Sequence, residues 1–114
     1  MKVTIKNQTL DLHYSMRIYI IYEQMMDKSI DPADFNKMTN VITLLYATIL
    51  ATLQYKRLPA SLDWNDFVDW VDEQGDSLII DFSNWFISEV NAQKSAEPIK
   101  EPKKGTTKKK SSAL

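Results

Sequence analysis

The sequence predicts a mainly α protein: a bundle of four to five helices, a small β-hairpin at the N-terminus and a disordered C-terminal tail. Three observations predict it. Apolar residues recur at helical spacing from about residue 15 to residue 93. Only the first thirteen residues alternate polar and apolar, as strands do. Glycine occurs just twice in 114 residues, at Gly75 and Gly105, too rarely for glycine-rich phosphate loops or most sheet-and-turn architectures. The chain divides into a helical domain with its hairpin over residues 1–93 and a Lys-rich tail over 94–114.

Val3, Ile5, Leu10 and Leu12 fall on alternate positions, so one face of a hairpin can bury all four, with Asn7-Gln8 as the expected turn. Ser15 is placed to cap a helix running to about Met26, with Ile18, Ile21, Tyr22 and Met25 on one face. Asp31-Pro32 is a helix-start pair, because proline's missing N–H has no partner in a first turn anyway. Met38–Tyr55 is the most apolar helix. Met38, Val41, Ile42, Leu45, Ile49 and Leu53 form one stripe, and Leu44, Ala47 and Ala51 form a second, nearly opposite. Such a helix belongs in the middle of a bundle or at an interface, and Lys56 and Arg57 suit its C-terminal dipole before Leu58-Pro59 ends it.

Ser61 or Asp63 caps the next helix, whose stripe is Trp64, Phe67, Val68 and Val71, and Gly75 closes it. Asp76 or Ser77 opens the last helix, expected to reach about Gln93 with Leu78, Phe82, Trp85 and Phe86 inward. Beyond Lys94 the chain is lysine, proline, serine and threonine with little to bury, which predicts disorder.

The net charge of −1 hides an asymmetry. Residues 1–93 carry a net −6 and residues 94–114 a net +5. An acidic body disfavours lying on nucleic acid, although the tail alone could touch phosphates. Met1–Leu12 lacks the continuous apolar run of an export signal. The longest uncharged stretch, Met38–Tyr55, contains Asn40, Gln54 and four threonines, so it reads as a buried helix and not a membrane span. The expected compartment is the cytoplasm.

Little in the chain suits catalysis. Cysteine is absent, which excludes disulfides and thiolate-held metals. His13 is the single histidine and sits on the polar phase of a strand, with no second histidine to share a metal. Ser15 reads as a cap, because no third group is evident to complete a triad with His13. Asp63, Asp66, Asp69, Asp72, Glu73, Asp76 and Asp81 interleave with apolar positions, the pattern of a solvated helix face. No Lys or Arg falls between Leu58 and Gln93, so that face could steer a basic partner. The expectation is therefore no catalytic site, no metal and no cofactor.

Four residues are candidates for partner binding. Trp70 falls off the Trp64/Phe67/Val71 stripe by its helical phase and is the leading candidate for an exposed anchor. Leu44, Ala47 and Ala51 give the central helix a second apolar face, from which self-association into a homo-oligomer is expected.

The order of elements carries a resemblance. A hairpin (MKVTIKNQTLDLHYSM) leads into a helix with a Tyr-Glu pair near its end (RIYIIYEQMMDKSID). A long apolar helix follows (VITLLYATILA), then an acidic aromatic helix (LDWNDFVDWVDEQ) and a final aromatic one (FSNWFISEV). Over Met1–Val90 this resembles the tail assembly chaperones of long-tailed bacteriophages, in which the hairpin, the Y-E helix end, an LLYA segment and an F-x-x-W-x-D helix recur in this order. Asn7-Gln8 stands where that family commonly has Asn-Gly.

The resemblance implies a non-enzymatic protein that binds the long, helical tape measure protein in the host cytoplasm, keeps it soluble and is absent from the finished virion. Tail tube protein then polymerises around the tape measure, recruited in many such phages by a longer, frameshifted form of the chaperone. Under that implication the Lys108-Lys109-Lys110 run corresponds to A-rich slippery codons. Two other readings of the tail stay open, a solubilising terminus and an electrostatic arm. The alternative for the whole chain is a small regulatory or adaptor protein whose basic tail contacts nucleic acid.

Overall fold

The computed structural model describes residues 1–96. Strands β1 (Lys2–Ile5) and β2 (Gln8–Asp11) pair antiparallel, with Val3 opposite Leu10 and Ile5 opposite Gln8. That register makes Lys6-Asn7 the two-residue connection, with φ of +52° and +64°. The turn therefore sits one residue earlier than the expected Asn7-Gln8. Two positive φ values match the right-handed twist of the strands, and asparagine is among the few side chains that tolerate them. Lys6 has no such tolerance, but its ammonium lies 2.7 Å from the Asp66 carboxylate. Val3, Ile5, Leu10 and Leu12 are all buried, as the alternation requires.

Helix α1 (Met16–Met26) buries Ile18 and Tyr22, leaves Ile21 half-buried and exposes Met25. Ser15 has the extended backbone of an N-cap, but its side chain makes no capping bond. Its hydroxyl is buried without a hydrogen-bond partner. A 3-10 turn follows over Pro32–Asn36, opened by Asp31, whose Oδ1 accepts the Ala33 N–H at 2.8 Å.

Helix α2 (Met38–Tyr55) has the expected bounds and lies at the centre. It runs antiparallel to α1. Arg17, at the start of α1, donates to Gln54 Oε1 near the end of α2, and the His13 ring stacks on Tyr55 at 3.6 Å. Helix α4 and the 3-10 turn also pack on α2. The hairpin reaches it too, since Ile5 and Leu10 border the same small cleft as Ile49 and Leu53. With neighbours on so many sides, the second apolar stripe is covered inside one chain, and so is most of the first, Met38 at its N-terminal end excepted. Leu44, Ala47 and Ala51 are buried, at 3%, 0% and 0% exposure. The expectation that these three form a free face for self-association is therefore corrected, because the chain's own elements already fill it.

Helix α3 (Trp64–Gln74) begins at Asp63, whose Oδ2 accepts the Asp66 N–H at 3.1 Å. It ends at Gly75, where φ is +77° and ψ −169°, a conformation open essentially only to glycine. That single residue lets α4 (Asp76–Ala96) start immediately on a new axis. Helix α4 buries Leu78, Ile79, Phe82 and Phe86 and runs three residues past the expected end. Phe86 joins three elements: its ring meets Tyr14 at 5.5 Å, Phe35 at 6.0 Å and Tyr19 at 6.3 Å. The expectation of a disordered tail falls mainly on residues 97–114, outside the described residues.

The two caps differ in what their side chains do, and so in what they contribute. Asp63→Ala should cost about 1 kcal/mol in urea unfolding, the usual cost of a lost capping bond. Ser15→Ala should be within about 0.5 kcal/mol of the parent, because it removes no bond and relieves an unpartnered buried hydroxyl.

Candidate functional site: an apolar groove beside helix α4

The interaction surface follows from which aromatic and aliphatic side chains the fold leaves uncovered. Trp70, expected outside, is only 8% exposed. Its Nε1–H donates to the Thr4 carbonyl of β1 at 2.8 Å, and its ring packs against Phe67. The reading of Trp70 as an exposed anchor is corrected. The hairpin lies over that flank of α3, so the buried arc of the helix is centred nearer Trp70 than the apolar stripe suggests. Trp64, expected in the core, is 40% exposed at the opposite edge of the arc. It still packs edge-on against Tyr46 at 5.0 Å, and the Tyr46 hydroxyl donates to the Leu62 carbonyl, fixing the approach to α3.

Besides Trp64, the uncovered large apolar side chains are Met16, Ile20 and Met25 on α1, Met38 and Tyr55 on α2, and Ile80 and Ile87 on α4, and of these Met38 and Ile80 border a groove. Phe35, Asn36, Met38 and Val41 form one wall of a groove of about 450 Å³, and Ile79, Ile80, Ser83 and Asn84 form the other. Met38 and Ile80 stand at its rim, 53% and 59% exposed. Placing an isoleucine in water forgoes about 1.5–3 kcal/mol of burial, so a paired exposure of this kind marks a surface that a partner can cover. On a helix, at ~100° per residue, Ile80 and Ile87 lie about 175° and about 155° from the centre of the Leu78/Phe82/Trp85/Phe86 stripe. The off-stripe criterion that singled out Trp70 thus finds Ile80 and Ile87 when applied to α4. Met38 carries no such signal, since it lies in phase with the core residues of its own helix.

The other candidate residues are dispersed. Asp63, Asp66, Asp69, Asp72, Glu73, Asp76 and Asp81 are all exposed, as a solvated face requires. Among the described residues no group of three or more acidic or histidine side chains is placed to hold a metal ion. His13 is half-buried in its stack on Tyr55, and its backbone N–H donates to Thr52 Oγ1 at 3.0 Å. No helix among the described residues is long and apolar enough to cross a membrane. Compared with known proteins, the chain finds no match: no family model, no curated protein and no solved structure aligns with it.

Two tyrosines are held in their protonated form. Burial, then the hydrogen bond with Tyr19, pushes the Tyr14 phenol well above the usual tyrosine range. Burial, with the nearby Asp63 charge, raises that of Tyr46. Each phenol ionises at higher pH when folded than when unfolded. Their contribution is fully present below the unfolded value of about 10 and is lost as pH rises above it.

Urea midpoints should therefore fall as pH rises from 9 through 11, and Tyr14→Phe should flatten part of that fall. A midpoint independent of pH across that range would contradict the assignment. Trp70→Ala should cost about 3–5 kcal/mol in urea unfolding, the range for emptying a core aromatic site, and Trp64→Ala distinctly less.

Proposed function

We propose that the protein is a non-enzymatic tail assembly chaperone of long-tailed phages or prophages. It binds the helical tape measure protein in the host bacterial cytoplasm, keeps it soluble, and helps recruit tail tube protein. The observation that carries this reading is the open groove between the start of α2 and α4, with Met38 and Ile80 uncovered at its rim. A protein that holds an aggregation-prone helical client needs a concave apolar surface with a polar surround, as helix-in-groove recognition does generally. The order of hairpin, Tyr-Glu helix end, LLYA segment and Phe67-x-x-Trp70-x-Asp72 helix supports the reading from the side of sequence. In the structure these motif residues serve packing: Tyr22, Leu45, Phe67 and Trp70 are buried.

Co-expression with the long, helix-rich tape measure protein encoded beside this chain's gene tests the proposal. The client should move from the insoluble to the soluble fraction and co-purify with the chaperone. A client that stays insoluble, or is soluble to the same extent alone, overturns it.

A further inference from the structure

Resting on the reading of the chain as a holder of a helical client, we infer that the α2/α4 groove takes an amphipathic client helix flanked by Lys and Arg. Shape, neutrality and charge each support this occupant.

Ile80 and Ile87 are seven residues apart on one face of α4, about 10.5 Å along the axis. That is the spacing of apolar residues two turns apart on a partner helix. Between them lie Ser83 and Asn84, both uncharged, so an apolar side chain entering the groove strips water from no ion. The facing wall offers Met38 and Val41, one turn apart on α2, and methionine adapts its shape to varied partners.

Charge selects among helices that could fit. From Leu58 to Gln93 there are eight carboxylates and no Lys or Arg, and Asp76 lies one turn before Ile80 on the same face of α4. Lys37 adjoins the groove only at its α2 end. A client helix with basic flanks gains attraction and faster encounter along the α3–α4 side, whereas an acidic one meets like charge. A second copy of this chain would bring the same carboxylates to the same face, which disfavours it as the occupant.

The test uses two designed amphipathic peptides of about 18 residues, five helical turns, with the same leucine face. One carries lysine flanks and the other glutamate flanks. Amide NMR titration of the full chain should show saturable shifts at Val41, Ile80, Ser83 and Asn84 with the lysine peptide, and at least tenfold weaker binding of the glutamate peptide. Ile80→Glu should weaken lysine-peptide binding at least tenfold while far-UV circular dichroism stays unchanged. Ile20→Glu adds the same charge on the exposed face of α1 and should leave binding within twofold. Equal binding of both peptides, shifts centred elsewhere, or equal losses in the two variants overturn the inference. So does sedimentation showing a dimer that Ile80→Glu dissociates, or peptide binding that appears only after residues 97–114 are removed.

Co-expression separates this inference from the reading it rests on. A client solubilised by the parent and not by Ile80→Glu supports both. Equal solubilisation by the two proteins overturns the groove and leaves the chaperone reading intact. Solubilisation by neither overturns the chaperone reading, and the peptide titration then decides the groove by itself.

Discussion

The structure depends on a helix that is buried nearly all round and still pairs its polar side chains. Helix α2 places Thr48 and Thr52 at 0% exposure, where an unpartnered hydroxyl would cost about 1–3 kcal/mol. Each returns its proton to the carbonyl four residues earlier, Thr48 to Leu44 and Thr52 to Thr48, both at 2.8 Å. Thr43 does the same toward Thr39. Because its hydroxyls are paired within the helix, α2 can accept neighbours on several sides. Thr52 also accepts the backbone N–H of His13, which ties the end of the hairpin segment to the helix. The small side chains at Ala47 and Ala51 suit the same close surroundings.

The remaining elements are positioned against that centre by a few directed contacts. Trp70 joins α3 to β1 through one hydrogen bond, and Lys6 joins the hairpin turn to Asp66 on the same helix. The exposed ion pair adds little by itself, while the buried tryptophan contributes most of its effect through apolar area. Phe86 collects Tyr14, Tyr19 and Phe35 around α4. Among the described residues, no element covers Ile80 and Ile87 on the α4 face opposite that aromatic cluster, and both remain exposed. The groove is a consequence of this packing: the 3-10 turn and the start of α2 meet α4 beside Ile79 without covering Ile80.

Local chemistry made much of the fold legible in the sequence. The 3.6-residue period, the Asp63 cap, the helix-breaking Gly75 and the Asp31-Pro32 start are short-range signals, and the observed elements follow them closely. The alternation of Val3, Ile5, Leu10 and Leu12 likewise assigned the buried face of the hairpin, although the turn moved by one residue. Side-chain period constrains which residues share a face, whereas the turn position depends on backbone φ at Lys6 and Asn7.

What tertiary structure decided is which apolar residues remain available. An apolar stripe shows that a helix face prefers cover, but it carries no information about which neighbour supplies it. Trp70 lay off its stripe and is buried because the hairpin covers that flank. Leu44, Ala47 and Ala51 formed a second face and are buried because α2 is surrounded within one chain. Met38 lay on a stripe and is exposed because α2 begins at the groove's edge. By itself the sequence determined the helical class, the element boundaries to within a few residues and the acidic character of the α3–α4 half. Contacts between residues far apart in the chain decided which apolar side chains face solvent, because burial depends on the placement of other elements and not on local periodicity.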